Sequence, residues 1–247
     1  MRDLIDLLDR NKLLKVISGI DNYDYQKVRK IVQSAQIAGA DLVDICDDAT
    51  IIEKLKEEFT INLCVSSVDV KKLKAADDLG VAVLELGNYE ALHKKGIFYS
   101  ADEIYSLAVE IINFRPNALV SITVPGHLSV KDQVELAQKL ELLGIDIIQT
   151  EGASLVEANS AAALGQIEKV KLTLANTIEI ARVLENTFLL TASGITPDTA
   201  KLAIASGANG IGVGKYVNKL ETEIEMIAAI RSLLIAISKE APVTINI

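Results

Sequence analysis

Short apolar runs alternate with segments of helical periodicity along almost the whole chain. The apolar runs are bounded by Gly, Asn, Asp or Ser, which is typical of buried strands. The predicted strands are Leu14–Ser18, Asp41–Cys46, Asn62–Ser66, Ala82–Gly87, Leu119–Val124, Asp146–Thr150, Phe188–Ala192 and Gly210–Val213. Helices are predicted near 25–38, 48–58, 69–79, 101–114, 129–143, 173–185, 197–206 and 221–238.

Strict alternation of β and α elements predicts a parallel sheet, so the fold class is α/β. Eight repeats within 247 residues favour a closed barrel over an open doubly wound sheet. We therefore predict a single (β/α)8 TIM barrel with residues 1–247 as one domain. Glycines such as Gly39 and Gly144 stop the preceding helices. An additional amphipathic helix over 2–11 is predicted to close the N-terminal end of the barrel.

Composition narrows the possible partners of the chain. Half of the residues are apolar and 4% are aromatic, so the core rests on Ile, Leu, Val and Ala. A formal charge of −9 leaves no basic surplus for nucleic-acid phosphates, so nucleic-acid binding is not expected. No apolar run approaches the ~20 residues that span a bilayer, so no membrane partner is expected either.

The cysteines and histidines make a metal site improbable on sequence grounds. Cys46 and Cys64 both lie in strand-like runs, which indicates small core residues in a reducing compartment. A disulfide between neighbouring strands is the alternative interpretation. There is no Cys/His cluster, and His93 and His127 are far apart in sequence, so we predict no metal site.

The segment 188–217 carries the strongest functional signal. One predicted strand ends in Ser193-Gly194, a helix follows, and the next strand ends in Gly212-Val213-Gly214-Lys215. Glycine lets a phosphate approach the backbone, and helix N-termini favour negative charge. The loops after strands 7 and 8 of a TIM barrel often bind phosphate, so this segment is predicted to be a phosphate-binding half-site. The alternative is that these glycines simply shorten turns.

Four charged residues are predicted to point into the barrel, because side chains alternate between the two faces of each strand. Lys15, Asp44 and Glu85 interrupt apolar runs, and Glu151 follows the sixth strand at the barrel mouth. A charged lysine can polarise a carbonyl, a neutral one can form a Schiff base, and a buried carboxylate can transfer protons near neutral pH. These four are the candidate catalytic residues. A structural Lys15–Asp44 pair is the alternative.

Further polar residues near the mouth are possible substrate contacts: Ser66, Thr123, His127 and Gln149. His93 lies beside two lysines and is expected to be solvated.

Two long connections, 88–100 and 151–171, are predicted after strands 4 and 6. The rings of Tyr89, Phe98 and Tyr99 either stack on a ligand or form a small core within the loop.

The chain resembles the hypothetical chloroplast reading frame twenty-three family, which is encoded in cyanobacteria and algal plastids. The resemblance runs over nearly the whole chain. It is carried by Leu14–Gly19, Cys64–Ser66, Glu85–Tyr89, Ser121–Pro125, Asp146–Gly152, Leu164–Lys169 and Ala192–Ile195. It implies an aldolase-type barrel without a settled activity, located in the cyanobacterial cytoplasm or the plastid stroma. More distantly, the C-terminal quarter is similar to the phosphate-binding sites of thiamin-phosphate and thiazole synthases and of FMN-dependent barrels.

Three hypotheses about function follow. The leading one is a soluble barrel that binds a phosphorylated small molecule at Ser193, Gly194, Gly212, Gly214 and Lys215. As an enzyme it would be a lyase, isomerase or synthase acting beside a carbonyl. The second is an oxidoreductase whose glycines hold FMN as cofactor, and the third is a non-catalytic ligand sensor or assembly partner. A homo-oligomer is compatible with all three.

Overall fold

The computed structural model describes residues 2–93, 95–152 and 162–238. Its strands are β1 Leu13–Ile17, β2 Leu42–Ile45, β3 Asn62–Ser67, β4 Val83–Leu86, β5 Leu119–Val124, β6 Ile147–Thr150, β7 Phe188–Ala192 and β8 Gly210–Val213. Its helices are α1 Arg2–Asp9, α2 Tyr25–Ala38, α3 Ala49–Glu58, α4 Val70–Asp78, α5 Glu90–His93, α6 Ala101–Asn113, α7 Val130–Leu143, α8 Ala162–Ala181, α9 Pro197–Ala205, α10 Lys215–Asn218 and α11 Glu223–Ile237.

The eight strands form a closed parallel barrel in sequence order, which confirms the predicted (β/α)8 TIM barrel. Closure pairs β1 with β8, where Leu13 lies opposite Gly210 and Lys15 opposite Gly212. All eight predicted strands are present within two residues of their predicted bounds. In the described part of the chain, no helix is both long enough and apolar enough to cross a bilayer.

Helix ends follow the polar and glycine signals of the sequence. The Asp24 carboxylate accepts from the first backbone N–H groups of α2, and Ser129 caps α7 in the same way. Gly39 and Gly144 end these two helices with φ of +90° and +86°, a conformation that glycine adopts without the steric penalty of a Cβ atom.

The barrel interior has an apolar layer at its N-terminal end. One residue from most of the strands contributes to this layer, and Leu4 and Leu8 of α1 pack beneath it. The layer contains Leu13, Leu42, Cys64, Val83, Leu119, Ile147 and Leu190. Because α1 contributes two buried leucines, it covers this end of the barrel.

The connection after β6 differs from its prediction. The predicted loop over 151–171 is wrong from Ala162 onward, where α8 begins, and residues 153–161 lie outside the described residues. Ala, Leu, Gln, Glu and Lys favour helix at the start of α8, which offsets the cost of a single interior glycine. The predicted end of this helix near residue 185 is also wrong, since α8 ends at Ala181. Beyond it, Glu141 Oε1 accepts the backbone N–H groups of residues 185–187 and holds them outside the helix.

Two short helices were absent from the predicted pattern. The four-residue helix α5 lies inside the predicted connection 88–100, of which residue 94 is not described. The second, α10, follows Gly214 directly. Helices of this length contain barely one turn and therefore leave no amphipathic period in the sequence. Both begin at the mouth of the barrel, at the C-terminal ends of β4 and β8.

Candidate functional site

A cavity of about 290 Å³ opens at the C-terminal end of the barrel. Both glycine turns of 188–217 line it, as do residues that follow β1, β4 and β6. The five predicted phosphate-binding residues all lie in its wall: Ser193, Gly194, Gly212, Gly214 and Lys215. The structure therefore brings these five residues together around one cavity.

The turn after β7 is held in an uncommon backbone conformation. Ser193 has φ of +84° and Gly194 has φ of +75°. Thr173 Oγ1 of α8 donates to the Ser193 carbonyl oxygen at 3.2 Å. Thr196 is the N-cap residue of the following helix α9, and its backbone N–H donates to Thr199 Oγ1 at 2.9 Å. A serine with positive φ is strained by about 1 kcal/mol or more, and such strain concentrates at functional sites.

Gly212 of β8 and Gly214 directly after it lie where a side chain would come close to neighbouring atoms. A Cβ atom at Gly212 would lie 3.0 Å from Ala192 Cβ and 3.1 Å from Gln149 Oε1. A Cβ atom at Gly214 would lie 3.3 Å from the carbonyl oxygen of Ile17. Both glycines are among the residues that line the cavity.

Below the cavity lies a buried ion pair between Lys15 and Glu85. Both side chains are 0–1% exposed and do not line the cavity. Burial alone lowers the pKa of Lys15, but the opposing charges of Glu85 and Asp44 raise it above its ordinary value overall. Lys15 therefore stays charged, which disfavours the Schiff-base interpretation. The alternative pairing of Lys15 with Asp44 is wrong, because Lys15 forms its ion pair with Glu85 of β4 across the barrel interior.

Glu85 is held by donors from two further strands. Ser121 Oγ donates to its Oε2 at 2.9 Å, and Thr123 Oγ1 donates to its Oε1 at 3.3 Å. Gln149 Nε2 also donates to Oε1, at 2.9 Å. With Lys15, this makes four donors to one buried carboxylate, as a charge removed from water requires.

Asp44 forms a second buried polar group in the same layer. It accepts from Ser66 Oγ at 2.5 Å and from Asn88 Nδ2 at 3.0 Å. Burial and the charge of Glu85 raise the pKa of Asp44 to about 7, against the lowering effect of Lys15. A carboxyl group with this pKa changes its protonation state near neutral pH.

Gln149 and Glu151 extend this polar layer into the cavity wall. Gln149 donates to both Glu85 and Thr123, the latter at 3.1 Å. Glu151 is 7% exposed, and of the four predicted catalytic residues it alone is among the described residues that line the cavity. It also lies near Tyr89, whose pKa is raised by burial and then by the charges of Glu151 and Glu85.

Ser66, Thr123 and His127 do not line the cavity. Ser66 and Thr123 are fully buried hydrogen-bond partners of Asp44 and Glu85. Burial lowers the pKa of His127, while a hydrogen bond with the Tyr99 backbone acts in the opposite direction. Of the predicted substrate contacts, Gln149 lies in the described cavity wall.

An aromatic cluster fills the connection between β4 and α6. The rings of Tyr89 and Tyr99 lie 5.7 Å apart, and His93 stacks on Phe98 with centroids at 4.8 Å. The prediction that His93 is solvated is wrong, since it is 8% exposed and also meets the edge of His127 at 4.8 Å. These rings form a small core within their own loop. Of the two alternatives predicted for Tyr89 and Tyr99, this is the one observed.

Two asparagines that line the cavity were not among the predicted site residues. Asn88 has φ of +69° and binds Asp44, and its position directly after a strand and a glycine was the available signal. Asn218 ends α10 and donates to the carbonyl oxygens of Ile17 and Ser18 at 2.7 and 3.2 Å. No sequence pattern distinguishes Asn218 from an ordinary surface residue.

The thiols are free, since Cys46 and Cys64 are buried without a disulfide. Within residues 2–93, 95–152 and 162–238, no three His, Cys, Asp or Glu side chains are arranged to hold a metal ion. The described chemistry of the site therefore consists of glycine turns, amides, hydroxyls and charged side chains.

Comparison with solved structures places this barrel among known folds. 3-Hexulose-6-phosphate synthase matches with a TM-score of 0.64 and 14% identity, covering 92% of this chain and all of that one. Thiamine phosphate pyrophosphorylase from Pyrococcus furiosus matches with a TM-score of 0.58 and 16% identity, over 93% and 97% of the two chains. (S)-3-O-geranylgeranylglyceryl phosphate synthase from Thermoplasma acidophilum, in complex with sn-glycerol-1-phosphate, has a TM-score of 0.60, 14% identity and coverage of 95% and 97%. At these identities the likeness concerns the fold.

Sequence comparison identifies closer relatives. The uncharacterized protein ycf23 of Porphyra purpurea is 32% identical over 97% of this chain and 90% of its own length. The protein of the same name from Cyanophora paradoxa is 34% identical over 92% and 93%. The model of the family described as "Protein of unknown function (DUF561)" matches residues 1–243. The chain therefore belongs to the DUF561 family, together with the ycf23 proteins.

Proposed function

We propose that this protein binds a phosphorylated small metabolite at the loops after β7 and β8. The observation that carries the proposal is the single cavity wall formed by the two glycine turns. In this arrangement the backbone near Gly194 and Gly214 receives the phosphate, and the N-terminus of α9 contributes its positive dipole. Lys215 follows Gly214 at the same wall and supplies a positive side chain.

The catalytic part of the proposal is acid–base chemistry next to a carbonyl, as in a lyase, isomerase or synthase. Glu151 is the proton carrier, because it lines the cavity while being shielded from bulk water. Lys15 and Glu85 are positioning residues that act through the Gln149 amide. Asp44 is a positioning residue for Asn88, which donates to the Asp44 carboxylate and also lines the cavity.

The names of fold neighbours support a phosphate ligand without identifying it. Three of these neighbours are named after phosphate compounds: 3-hexulose-6-phosphate synthase, thiamine phosphate pyrophosphorylase and (S)-3-O-geranylgeranylglyceryl phosphate synthase. The last was solved with sn-glycerol-1-phosphate. Their identities to this chain are low, so the residues of the present cavity carry the argument.

The alternative ligand is FMN, whose phosphate would use the same glycines. Among the described lining residues the one aromatic ring is that of Tyr216, and the acidic side chains of Asp21 and Glu151 also face the cavity. This lining suits a small polar ligand better than a large flat ring system. A non-catalytic sensor would use the same wall and would bind ligand without turnover.

The decisive experiment is native mass spectrometry, with a visible absorbance spectrum, on protein purified without added ligand. A co-purified colourless phosphate ester supports the proposal, whereas a flavin spectrum replaces it with the FMN alternative. Protein that emerges without ligand is titrated with inorganic phosphate and glycerol 3-phosphate by calorimetry. Absence of binding to both would contradict the phosphate site.

A variant pair locates the binding to this wall. Lys215→Met removes one of the two described lysines that line the cavity, the other being Lys219. It is expected to weaken phosphate-ester binding roughly 10-fold, because charge-assisted hydrogen bonds are worth about 1.5–3 kcal/mol. The matched control is Lys201→Met, which removes an exposed lysine of α9 outside the cavity. Equal losses in both variants would indicate a general charge effect instead of a site.

The compartment and assembly complete the proposal. A cyanobacterial cytoplasm or plastid stroma accords with two free buried cysteines and with the algal ycf23 relatives. A homo-oligomer stays a prediction, which sedimentation or native mass spectrometry tests directly.

A further inference from the structure

The orientation of the Gln149 amide is fixed by its partners. Nε2 donates to Glu85 Oε1 at 2.9 Å, and a carboxylate that is paired with Lys15 can only accept. The amide therefore cannot be flipped, and Oε1 must face the other way. There it lies 3.1 Å from the position a Cβ atom would take on Gly212, in the wall of the cavity.

This oxygen is a buried acceptor without a donor. Gln149 is 3% exposed, and within the described chain no group donates to its Oε1. Donation by Nε2 to a carboxylate polarises the amide, which makes Oε1 a stronger acceptor than an isolated amide oxygen. An unpaired buried acceptor is unfavourable, so the site gains when a ligand supplies a donor.

Asn218 of α10 repeats this arrangement beside the C-terminal end of β1. Its Nδ2 donates to the carbonyl oxygens of Ile17 and Ser18, which are acceptors only, so its orientation is also fixed. Its Oδ1 is buried and, among the described residues, has no hydrogen-bond donor. Asn218 also lines the cavity. Two immobile acceptors from different elements therefore border the same cavity as the glycine turns.

We infer that this cavity selects a phosphate ester that carries at least two hydroxyl groups, which donate to Gln149 Oε1 and Asn218 Oδ1. The inference rests on the proposed function for the phosphate and adds the class of substrate, a polyhydroxylated, sugar-type phosphate. Two hydroxyl groups are required because each hydroxyl carries one hydrogen and pairs one of the two acceptors. Ser193 Oγ, also buried without a partner in the described structure, can donate or accept and does not discriminate.

The first test compares matched ligands on the unaltered protein. Calorimetry is performed with ribitol 5-phosphate and with n-pentyl phosphate, which has the same chain length but no hydroxyl groups. The polyol ester is expected to bind at least about 10-fold more tightly, because the alkyl ester leaves both acceptors unpaired. Equal affinities, or tighter binding of the alkyl ester, would overturn the inference and leave the phosphate site standing. Tighter binding of 5-aminopentyl phosphate than of the polyol ester would also overturn it.

The second test removes one acceptor. In Gln149→Met, binding of ribitol 5-phosphate is expected to weaken roughly 10-fold while binding of n-pentyl phosphate is retained. Gln133→Met is the matched control, since Gln133 is 2% exposed, donates to the Leu128 carbonyl oxygen at 2.8 Å and lies outside the cavity wall. If Gln149→Met weakens both esters equally, Gln149 has a structural role only and the inference fails. If this variant does not fold, Asn218→Leu provides the same comparison.

A third ligand separates this inference from the proposed function. If no phosphate ester binds but free ribitol binds, and Gln149→Met abolishes that binding, the phosphate site is refuted and the hydroxyl-selective acceptors are supported. If neither free ribitol nor any ester binds, both are refuted.

Discussion

Asp44 makes a sharp prediction about the pH dependence of stability. Burial and the charge of Glu85 raise its pKa from an ordinary 3.8 to about 7 in the folded protein. Between these two values the folded protein holds a proton that the unfolded chain releases. The stability contribution of this group is therefore complete below pH 3.8 and is lost as the pH rises through about 7. The two pKa values correspond to a total loss of about 4 kcal/mol.

The test is Asp44→Asn, measured by urea unfolding between about pH 4.5 and pH 8.5. An asparagine fits the site, because its oxygen can accept from Asn88 Nδ2 while its amide donates to Ser66 Oγ. We expect the variant to match the wild type within about 1 kcal/mol near pH 4.5 and to be more stable by up to about 4 kcal/mol near pH 8.5.

Asp78→Asn is the control, because it removes one negative charge at an exposed position on α4. Its stability difference from the wild type is expected to stay nearly constant over the same pH range. If the difference between Asp44→Asn and the wild type is equally constant, the raised pKa of Asp44 is refuted. The Lys15–Glu85 ion pair beside it would then account for the electrostatic contribution of this layer by itself.

Two further variants test the charge layer and the strained turn. Lys15→Met leaves Glu85 buried without its cation and should destabilise the protein by about 3–5 kcal/mol, whereas Lys15→Met combined with Glu85→Gln should recover most of that loss. A loss below about 1 kcal/mol in urea unfolding of the single variant would contradict the buried pair. Ser193→Gly relieves a φ of +84° and is expected to raise stability by about 1 kcal/mol while weakening ligand binding. A lower melting temperature would show that the serine is not strained.

The sequence was informative wherever a simple period controls the geometry. Side chains alternate along a strand, so single polar residues within apolar runs could be assigned to the barrel interior. Lys15 and Glu85 are both in that interior, and their contact depends on barrel closure. Strand order alone could not distinguish this pair from Lys15 with Asp44, because both carboxylates share the same layer.

Other features depend on partners that no local pattern reveals. His93 is next to lysines in sequence, yet rings from Phe98 and His127 bury it. Asn218 acquires its role from two carbonyl oxygens 200 or more positions earlier in the chain. The beginning of α8 was missed because a glycine and a run of small residues resemble a loop in composition. Tertiary contacts override local preference in each of these cases.

The pairing of β1 with β8 has a consequence for how the chain folds. Asn209 reaches back 201 positions to the carbonyl oxygen of Leu8, so barrel closure joins residues that are made far apart in time. At ribosomal rates of about 5–20 residues per second, β1 is synthesised roughly 10–40 seconds before β8. Until β8 is made, the edge of β1 that pairs with it lacks its partner. The inward-pointing Lys15 of β1 would have to bury an unpaired charge in any sheet formed with a second chain, which disfavours aggregation until closure.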